Sequence, residues 1–266
     1  MIRIMCVGPA RLYEAMASLS FDYRIKTPIS RTVIFTPYSR TDVENALLEF
    51  DIDYSKFTIL PDTYFSDIYD LSRWTHDNWY KQQALKLCAL DSFESEEFLI
   101  QDADLLLLKD YDAFIDGKPN FKAEALWNDY HTVYADCVYG ILGLTRGIEL
   151  SLVNELMPYR KQDWISLKLY IEDRYSKSWL DVMPDYRVFD DTKWFSEYEL
   201  LGIWKTNQTG WNYFDWVSQP PINSWEDVLN TNWNEFSAVK FHVRPLKFMT
   251  AQQAKDLVKY IHDTVN

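Results

Sequence analysis

Two aspartates interrupt a long apolar stretch, and they constrain the fold and the chemistry of this chain more than any other feature. The stretch runs from Phe98 to Leu108 and reads FLIQDADLLLL, with Asp102 and Asp104 as its charged residues. An apolar run of this length is typical of a buried strand. Two like charges at the end of such a strand are costly to bury unless a cation neutralises them. The pattern therefore predicts a site for Mn²⁺ or Mg²⁺, because these ions prefer carboxylate oxygens.

The segment ahead of this strand predicts a helix. Residues 79–90 read WYKQQALKLCAL and carry apolar side chains at helical spacing, at Tyr80, Ala84 and Leu87. A short loop at 91–97 then leads into the strand. The predicted order is helix, loop, strand and Asp-x-Asp.

The rest of the N-terminal half alternates strands with helices. Strands are expected at 2–7, 32–36 and 56–60, and helices at 10–19 and 39–50. This alternation predicts a mostly parallel sheet with helices on both faces. Because ligands bind at the carboxyl ends of the strands in such sheets, Gly8 and the two aspartates are expected to share one cleft.

The C-terminal half is less regular and contains no internal repeat or clear linker. The glycine-containing run at 138–147 is expected to form a strand and turn, and helices are expected at 147–156 and 163–176. The simplest prediction is one domain over residues 1–266. Its last part would hold an irregular, aromatic-rich lobe, a strand and a closing helix, at 204–236, 239–244 and 251–265.

Charge and cysteine content narrow the function classes. The net charge of −13 argues against a broad nucleic-acid surface and against binding to an anionic membrane. Cys6, Cys88 and Cys137 form no zinc or disulfide pattern, so buried free thiols and a reducing compartment are expected. No apolar run reaches the roughly 20 residues of a membrane span, and no signal peptide is recognisable. A cytoplasmic protein is therefore predicted.

The Asp-x-Asp after an apolar strand resembles the metal and nucleotide-sugar motif of glycosyltransferases with the GT-A fold. The preceding W-x-x-Q-Q-x-L-K-L helix is similar to that of bacterial and phage members. The resemblance covers mainly residues 74–110, and a weaker similarity occurs at 195–200. It implies a GT-A (Rossmann-like) α/β fold, with 1–110 as the nucleotide-sugar-binding half and 111–266 as the acceptor-side half. It also implies a Mn²⁺ or Mg²⁺ cofactor and a nucleoside diphosphate-sugar donor, a UDP-sugar first among them.

The resemblance assigns the metal and phosphate contacts. Asp104 is expected to bind the ion directly, and Asp102 to touch the ribose or a metal-bound water. His242 is the candidate third ligand. Strand alternation places Lys240 and Arg244 on its face, where they could hold a diphosphate. The alternative is a solvated strand edge with a structural histidine.

Polar residues of the predicted helix are candidate donor contacts, together with Gly8 at the end of the first strand. In proteins of this type a helix at this point often sends a polar residue to the donor sugar, which favours Gln82 or Gln83. Lys86 lies four residues after Gln82 and shares its face. The alternative is the solvated face of an amphipathic helix.

The acceptor side is assigned from carboxylates and tryptophans. Glu197 lies in an aromatic segment and is the candidate base, with Asp129 as the second candidate. An alternative accounts for its neighbours: Ser196 and Glu199 have the spacing of a helix-capping box.

Tryptophan side chains can form a platform for a sugar. Trp204 and Trp211 are the candidates for contacts to the acceptor. The alternative for either one is a small satellite core.

The sequence thus predicts a metal-dependent glycosyltransferase that moves a hexose or pentose to a hydroxyl of a glycan or small molecule. One rival is a phage enzyme that glycosylates a hydroxymethylated pyrimidine in DNA, and the acidic charge counts against it. Others are a non-catalytic nucleotide-sugar or glycan-binding protein and a metal-dependent phosphoryl-transfer enzyme.

Overall fold

A computed structural model gives the structure of the 266-residue chain. It describes residues 1–74, 78–122, 124–125, 129–147, 150–153, 155–186, 196–208, 212–214, 225–240 and 249–265. Within these ranges, only the backbone is described at 122, 124–125, 129–131, 150, 212–214 and 240.

The described residues form strands and helices in alternation along the N-terminal half and in a less regular order thereafter. The strands are β1 (Ile2–Cys6), β2 (Arg31–Thr36), β3 (Phe57–Pro61), β4 (Glu97–Asp102), β5 (Leu105–Leu107), β6 (Phe114–Ile115), β7 (Lys118–Lys122), β8 (Glu124–Ala125), β9 (Leu150–Ser151), β10 (Leu156–Arg160), β11 (Asn212–Phe214) and β12 (Ala238–Lys240). The helices are α1 (Leu12–Leu19), α2 (Arg40–Glu49), α3 (Asn78–Ser92), α4 (Asp129–Leu142), α5 (Lys161–Tyr175), α6 (Trp179–Val182), α7 (Glu197–Gln208), α8 (Trp225–Asn230) and α9 (Ala251–Thr264).

The contacts group the chain into two compact units. The first unit comprises Met1–Asp62, Gln101–Ala113 and Asp215–Asn266, and the second comprises Thr63–Ile100 and Phe114–Phe214. The predicted single domain, with its halves 1–110 and 111–266, stays a prediction.

Three strands of the first unit pair with one another in parallel. β1 pairs with β2, and β2 pairs with β3, so that Ile4 lies opposite Val33 and Val33 opposite Thr58. The apolar runs IRIMC and TVIFT form these strands because their side chains are buried on both faces. Helices α1 and α2 pack onto them around a core of Met5, Val7, Leu12, Ala15, Met16, Leu19, Ile34, Val43, Ala46, Leu47 and Ala103.

The C-terminal part of the first unit supports β5. β12 pairs with β5 antiparallel, and Lys240 lies opposite Leu105. Helix α9 begins with a capping box, in which the Thr250 side chain accepts from the Gln253 backbone N–H and Gln253 accepts from the Thr250 backbone N–H. Its apolar side buries Ala254, Leu257 and Ile261.

In the second unit, helices surround an aromatic core. Trp164 packs edge-on against Trp179, with ring centroids 5.1 Å apart, and Trp74 stacks on Tyr80 at 4.7 Å. The Lys161 ammonium donates to the backbone carbonyls of Leu90, Asp91 and Phe93 at the end of α3, at 2.8, 2.6 and 3.2 Å. Much of the high aromatic content therefore serves packing.

Most of the predicted elements are confirmed, including strands β1, β2 and β3, helix α3 and the closing helix α9. Of the strand predicted at 239–244, residues 239–240 belong to β12, and the others lie outside the described residues. The strand predicted within 138–147 is wrong, because α4 extends to Leu142, whereas the predicted turn is found at Gly143, which follows the helix. The exposed positions Asp136 and Gly140 recur four residues apart, which is a helical period that begins before the glycines. The predicted helix at 147–156 is also wrong, because β9 and the start of β10 occupy its described residues.

Two further predictions concern the cysteines and membrane-spanning helices. The three cysteines are free and buried. Within the described ranges, the structure contains no helix with the length and apolar character needed to cross a membrane.

Candidate functional site

The two aspartates of the motif lie on a sharp turn in the first unit. Asp102 ends β4, and Ala103 and Asp104 form the turn before β5; we refer to Asp102–Asp104 as the acidic turn. Because the strand ends at Asp102, strand alternation does not hold its carboxylate and that of Asp104 on opposite faces. Asp104 is 8% exposed, and Asp102 is half-buried.

Buried hydrogen bonds fix both sides of the acidic turn to helix α1. The Gln101 amide donates to the Ser18 hydroxyl at 3.0 Å, and that hydroxyl donates to the carbonyl oxygen of Leu105. Gln101 also accepts from the Arg3 guanidinium at 3.3 Å. One residue, Ser18, therefore holds the acidic turn, because it contacts both the residue before the turn and the residue after the turn.

A second turn follows β1 and has an unusual backbone. Arg11 donates its backbone N–H to the Gly8 carbonyl at 3.2 Å, which closes the turn. Ala10 has a φ of +60°, in the left-handed region that residues other than glycine seldom adopt. Its N–H donates to the Tyr38 hydroxyl at 2.7 Å, so a side chain that follows β2 holds this conformation.

An arginine joins the two turns. The Nη1 atom of Arg11 lies 3.4 Å from Asp104 Oδ2 and 3.6 Å from Oε1 of the buried Glu14. Arg11 and Asp104 are 93 residues apart in the sequence. Gly8 and the aspartates were expected to share one cleft, whereas no sequence pattern marks Arg11, because an arginine gives no signal by its residue type alone.

A cavity of about 750 Å³ opens beside the Gly8–Arg11 turn. Its volume lies within the usual range for small-molecule sites. Two aromatic side chains, Tyr13 and Tyr38, line it together with Asn45 of α2. Ala10, Leu12, Asp42, Ala46, Glu49 and the start of α9 (Met249, Thr250 and Ala251) complete the lining.

The acidic turn has the oxygen ligands that a hard divalent ion prefers. No cluster of three or more His, Cys, Asp or Glu side chains suited to a metal ion occurs among the residues that the structure describes. His242 and Arg244, a predicted ligand and a predicted phosphate contact, lie outside the described residues. Lys240 is described by its backbone, which pairs with the residue that follows Asp104. The metal and phosphate roles therefore stay predictions.

Several of the other predicted site residues meet in the second unit, in a buried ion pair. The Lys86 ammonium lies 2.6 Å from Glu197 Oε1 and donates to the Tyr198 hydroxyl at 3.2 Å, with the ring centroid of Tyr198 at 4.6 Å. Gln83 accepts from the Glu197 backbone N–H at 2.9 Å. Lys86 and Glu197 are 3% and 2% exposed.

This arrangement supplies the structural explanation that the sequence lacked for Glu197. A buried carboxylate needs a cation, and Lys86 provides it. Gln83 and Lys86 both contact helix α7, while Gln82 is half-buried. The donor role of these three residues and the base role of Glu197 stay predictions.

Glu199 is the second buried carboxylate of α7. It accepts hydrogen bonds from the Ser151 hydroxyl at 2.8 Å and from the Leu152 backbone N–H at 3.1 Å. Burial raises the pKa of Glu199 to about 7, and these hydrogen bonds offset only part of that effect. Ser196 accepts from the Tyr198 backbone N–H at 3.2 Å. Glu199 thus anchors α7 to the segment after β9, in place of the expected capping-box contact.

The remaining acceptor-side candidates have the following positions. Trp204 is 8% exposed, its indole donates to the Ser166 hydroxyl at 3.2 Å, and its ring lies 4.9 Å from that of Tyr170. These are the contacts of a packed side chain. Asp129 begins α4 and is described by its backbone, and Trp211 lies outside the described residues. Their roles stay predictions.

Sequence comparison assigns the chain to a family. The family described as "Family of unknown function (DUF6492)" matches residues 22–238, which is more than half of the chain, and the protein belongs to this family. No curated protein sequence matches it significantly.

Several solved structures with a similar fold are glycosyltransferases. The galactosyltransferase LgtC, solved with donor and acceptor sugar analogs, aligns with a TM-score of 0.52 and 13% identity over 97% of this chain and 95% of LgtC. The apo bifunctional glycosyltransferase WbbM gives 0.58 and 10% over 99% of this chain and 50% of WbbM. Apo mouse xyloside xylosyltransferase 1 gives 0.51 and 12% over 91% of this chain and 98% of that one.

At these identities the similarity establishes the fold. The chain has the mixed α/β fold of GT-A glycosyltransferases, with a mostly parallel central sheet and helices. The predicted fold class is confirmed.

Proposed function

We propose that this protein is a metal-dependent glycosyltransferase that moves a sugar from a nucleoside diphosphate-sugar to an acceptor hydroxyl. The observation that carries the proposal is the acidic turn, Asp102–Asp104, which follows β4 in a GT-A fold and contacts the turn after β1 through Arg11. Departure of a diphosphate needs stabilisation of the developing negative charge, and a divalent ion supplies it.

The described residues suit a hard ion and a phosphate at this place. Asp104 and Asp102 offer carboxylate oxygens, the ligands that a hard divalent ion prefers. We assign Asp104 as the direct ligand of Mn²⁺ or Mg²⁺ and Asp102 as a ribose or metal-water contact. His242, Lys240 and Arg244 remain our candidates for the third ligand and the phosphate contacts.

The cavity beside the Gly8–Arg11 turn is our candidate for the nucleoside. It adjoins residues that follow the carboxyl ends of β1 and β2, where ligands bind in sheets of this kind. Tyr13 and Tyr38 offer aromatic surface, and Asn45 offers both a donor and an acceptor. A UDP-sugar remains the first donor to test.

The acceptor is proposed only by class, as a glycan or small molecule. A base in phage DNA is disfavoured because the net charge is −13. Bacterial or phage origin remains part of the proposal, and the three buried free cysteines favour a reducing compartment.

A binding screen tests the donor half of the proposal. Thermal unfolding is measured with a panel of nucleoside diphosphate-sugars, with and without Mn²⁺, for the wild type and Asp104→Asn. A donor at a hundred times its Kd stabilises the wild type by about 2.7 kcal/mol. We expect this stabilisation to require Mn²⁺ and to be lost in Asp104→Asn. Equal stabilisation of both proteins without metal would contradict the proposed ligand role of Asp104.

A further inference from the structure

Two arginines of the first unit are held in very different ways. Arg3 is 1% exposed, and its guanidinium contacts both carboxylate oxygens of Asp22, at 2.5 and 2.6 Å. The Arg11 side chain is 20% exposed, and one nitrogen makes its contacts to Asp104 and Glu14, at 3.4 and 3.6 Å. Short two-point pairs are the strong, fixed ones. Arg11 is therefore held near Asp104 by charge, in a pairing that is weaker than that of Arg3.

The backbone ahead of Arg11 brings this side chain to the acidic turn. Ala10 is in the left-handed region, and the Tyr38 hydroxyl accepts from its N–H. Backbone strain of this kind concentrates at functional sites, where surrounding contacts maintain it. Here the strained residue directly precedes the arginine that contacts Asp104, 93 positions later in the chain.

We propose that Arg11 is an internal counter-cation that occupies Asp104 in the metal-free protein and that a divalent ion must displace. This inference rests on the proposed function, which assigns Asp104 to a metal. An ion bound to Asp104 Oδ2 would lie within a few ångströms of the guanidinium, and two cations at that separation repel each other. Arg11 thereby sets how tightly the acidic turn holds a divalent ion.

The Arg11 side chain is partly exposed, and its 3.4 Å contact with Asp104 is longer than the contacts of Arg3 with Asp22.

The test is a Mn²⁺ titration of the metal-free protein, followed by electron paramagnetic resonance of the free ion. Arg11→Met should bind Mn²⁺ about tenfold more tightly than the wild type, which corresponds to 1.4 kcal/mol. Arg11→Gln should shift the affinity in the same direction. Arg11→Gln keeps N–H donors near Asp104 and Glu14, so it replaces Arg11→Met in the titration if Arg11→Met does not fold. The gain should disappear in Arg11→Met/Asp104→Asn.

A matched control removes the same charge elsewhere in the first unit. Arg31 is exposed and begins β2 opposite Ile2, at the amino end of the strands, whereas the Gly8–Arg11 turn follows the carboxyl end of β1. Arg31→Met should leave the Mn²⁺ affinity within twofold of the wild type. An equal gain in Arg31→Met would attribute the effect to net charge and overturn the inference.

The remaining outcomes separate this inference from the proposed function. If both Arg11 variants bind Mn²⁺ no more tightly than the wild type while Asp104→Asn abolishes binding, the metal site stands and the role of Arg11 is wrong. Weaker binding in the Arg11 variants would also overturn it. If no protein of the set binds Mn²⁺, the inference and the metal dependence of the proposed function both fail.

Discussion

The Lys86 ammonium and the Glu197 carboxylate form an ion pair in the interior of the second unit, with Nζ and Oε1 2.6 Å apart. The pair connects α3 with α7, across 111 positions of sequence. Both side chains were singled out from the sequence as functional residues, and the structure gives each of them a partner. Two predictions separate a structural role of this pair from a catalytic one.

Lys86→Met should destabilise the protein by about 3–5 kcal/mol, because it removes the ammonium that pairs with the buried Glu197 carboxylate. Urea unfolding at pH 7 measures the loss. Lys255→Met is the matched control: its ion pair with Glu49 is exposed, at 3.3 Å, and should contribute at most about 1 kcal/mol. Similar losses of unfolding free energy in the two variants would mean that the buried pair stabilises the protein no more than the exposed pair does.

Glu197→Gln distinguishes a general base from a structural residue through kinetics. If Glu197 takes the acceptor proton, kcat should fall by about 10²- to 10⁴-fold while donor affinity stays near that of the wild type. If its role is confined to the pair with Lys86, the protein should lose stability and keep its kcat at temperatures where it is folded. Single-turnover kinetics and urea unfolding of the same preparation provide both readouts, and loss of kcat in Asp129→Asn alone would assign the base to Asp129.

Glu199 should make stability depend on pH. Its pKa of about 7 in the folded protein lies above the ordinary value of 4.5, so the folded state binds this proton more tightly than the unfolded state. The stabilising contribution is complete below the ordinary value and is lost as the pH rises through the folded pKa, by up to about 3 kcal/mol. Urea unfolding between pH 5 and 8 should show this loss in the wild type. Glu199→Gln keeps the contacts to Ser151 and Leu152 and should lack that part of the pH dependence; parallel pH profiles would refute the assignment.

Substitution by alanine should have opposite effects on stability at two helical glycines. A Cβ at Gly202 would lie 2.7 Å from Leu152 Cδ1 and 2.8 Å from Leu152 Cβ, so Gly202→Ala should cost about 1–3 kcal/mol. A Cβ at Gly140 would meet Tyr186 at 3.8 Å, an ordinary contact, and Gly140→Ala should stabilise α4 by about 0.5–1 kcal/mol. Thermal unfolding compares the two variants, and a gain in Gly202→Ala would show that α7 is not packed closely on the segment after β9.

The sequence predicted those parts of the fold whose determinants are local. β1 and β2 are apolar runs, one followed by Gly8-Pro9 and the other by Pro37, and α3 has a clear helical period. Each of these elements was therefore located correctly. α4 was missed because its glycines suggested a turn, although the burial pattern is helical from Tyr134 onward.

The contacts of the candidate site depend on long-range packing that no local pattern encodes. Arg11 meets Asp104 across 93 residues, and Lys86 meets Glu197 across 111. The motif therefore identified the acidic turn, but it could not reveal Arg11 as the cation beside it. Nor could it show that Glu197 already has a partner.

Turnover of a nucleoside diphosphate-sugar tests the central claim most directly. The purified protein is incubated with a panel of donors and with Mn²⁺ or with a chelator, and release of the nucleoside diphosphate is quantified together with the sugar product. We expect at least one donor to be consumed by the wild type with Mn²⁺, with a loss of at least about 10²-fold in the chelator and in Asp104→Asn. Release at the same rate in the chelator or in Asp104→Asn would contradict the account of a metal-dependent glycosyltransferase built on the acidic turn.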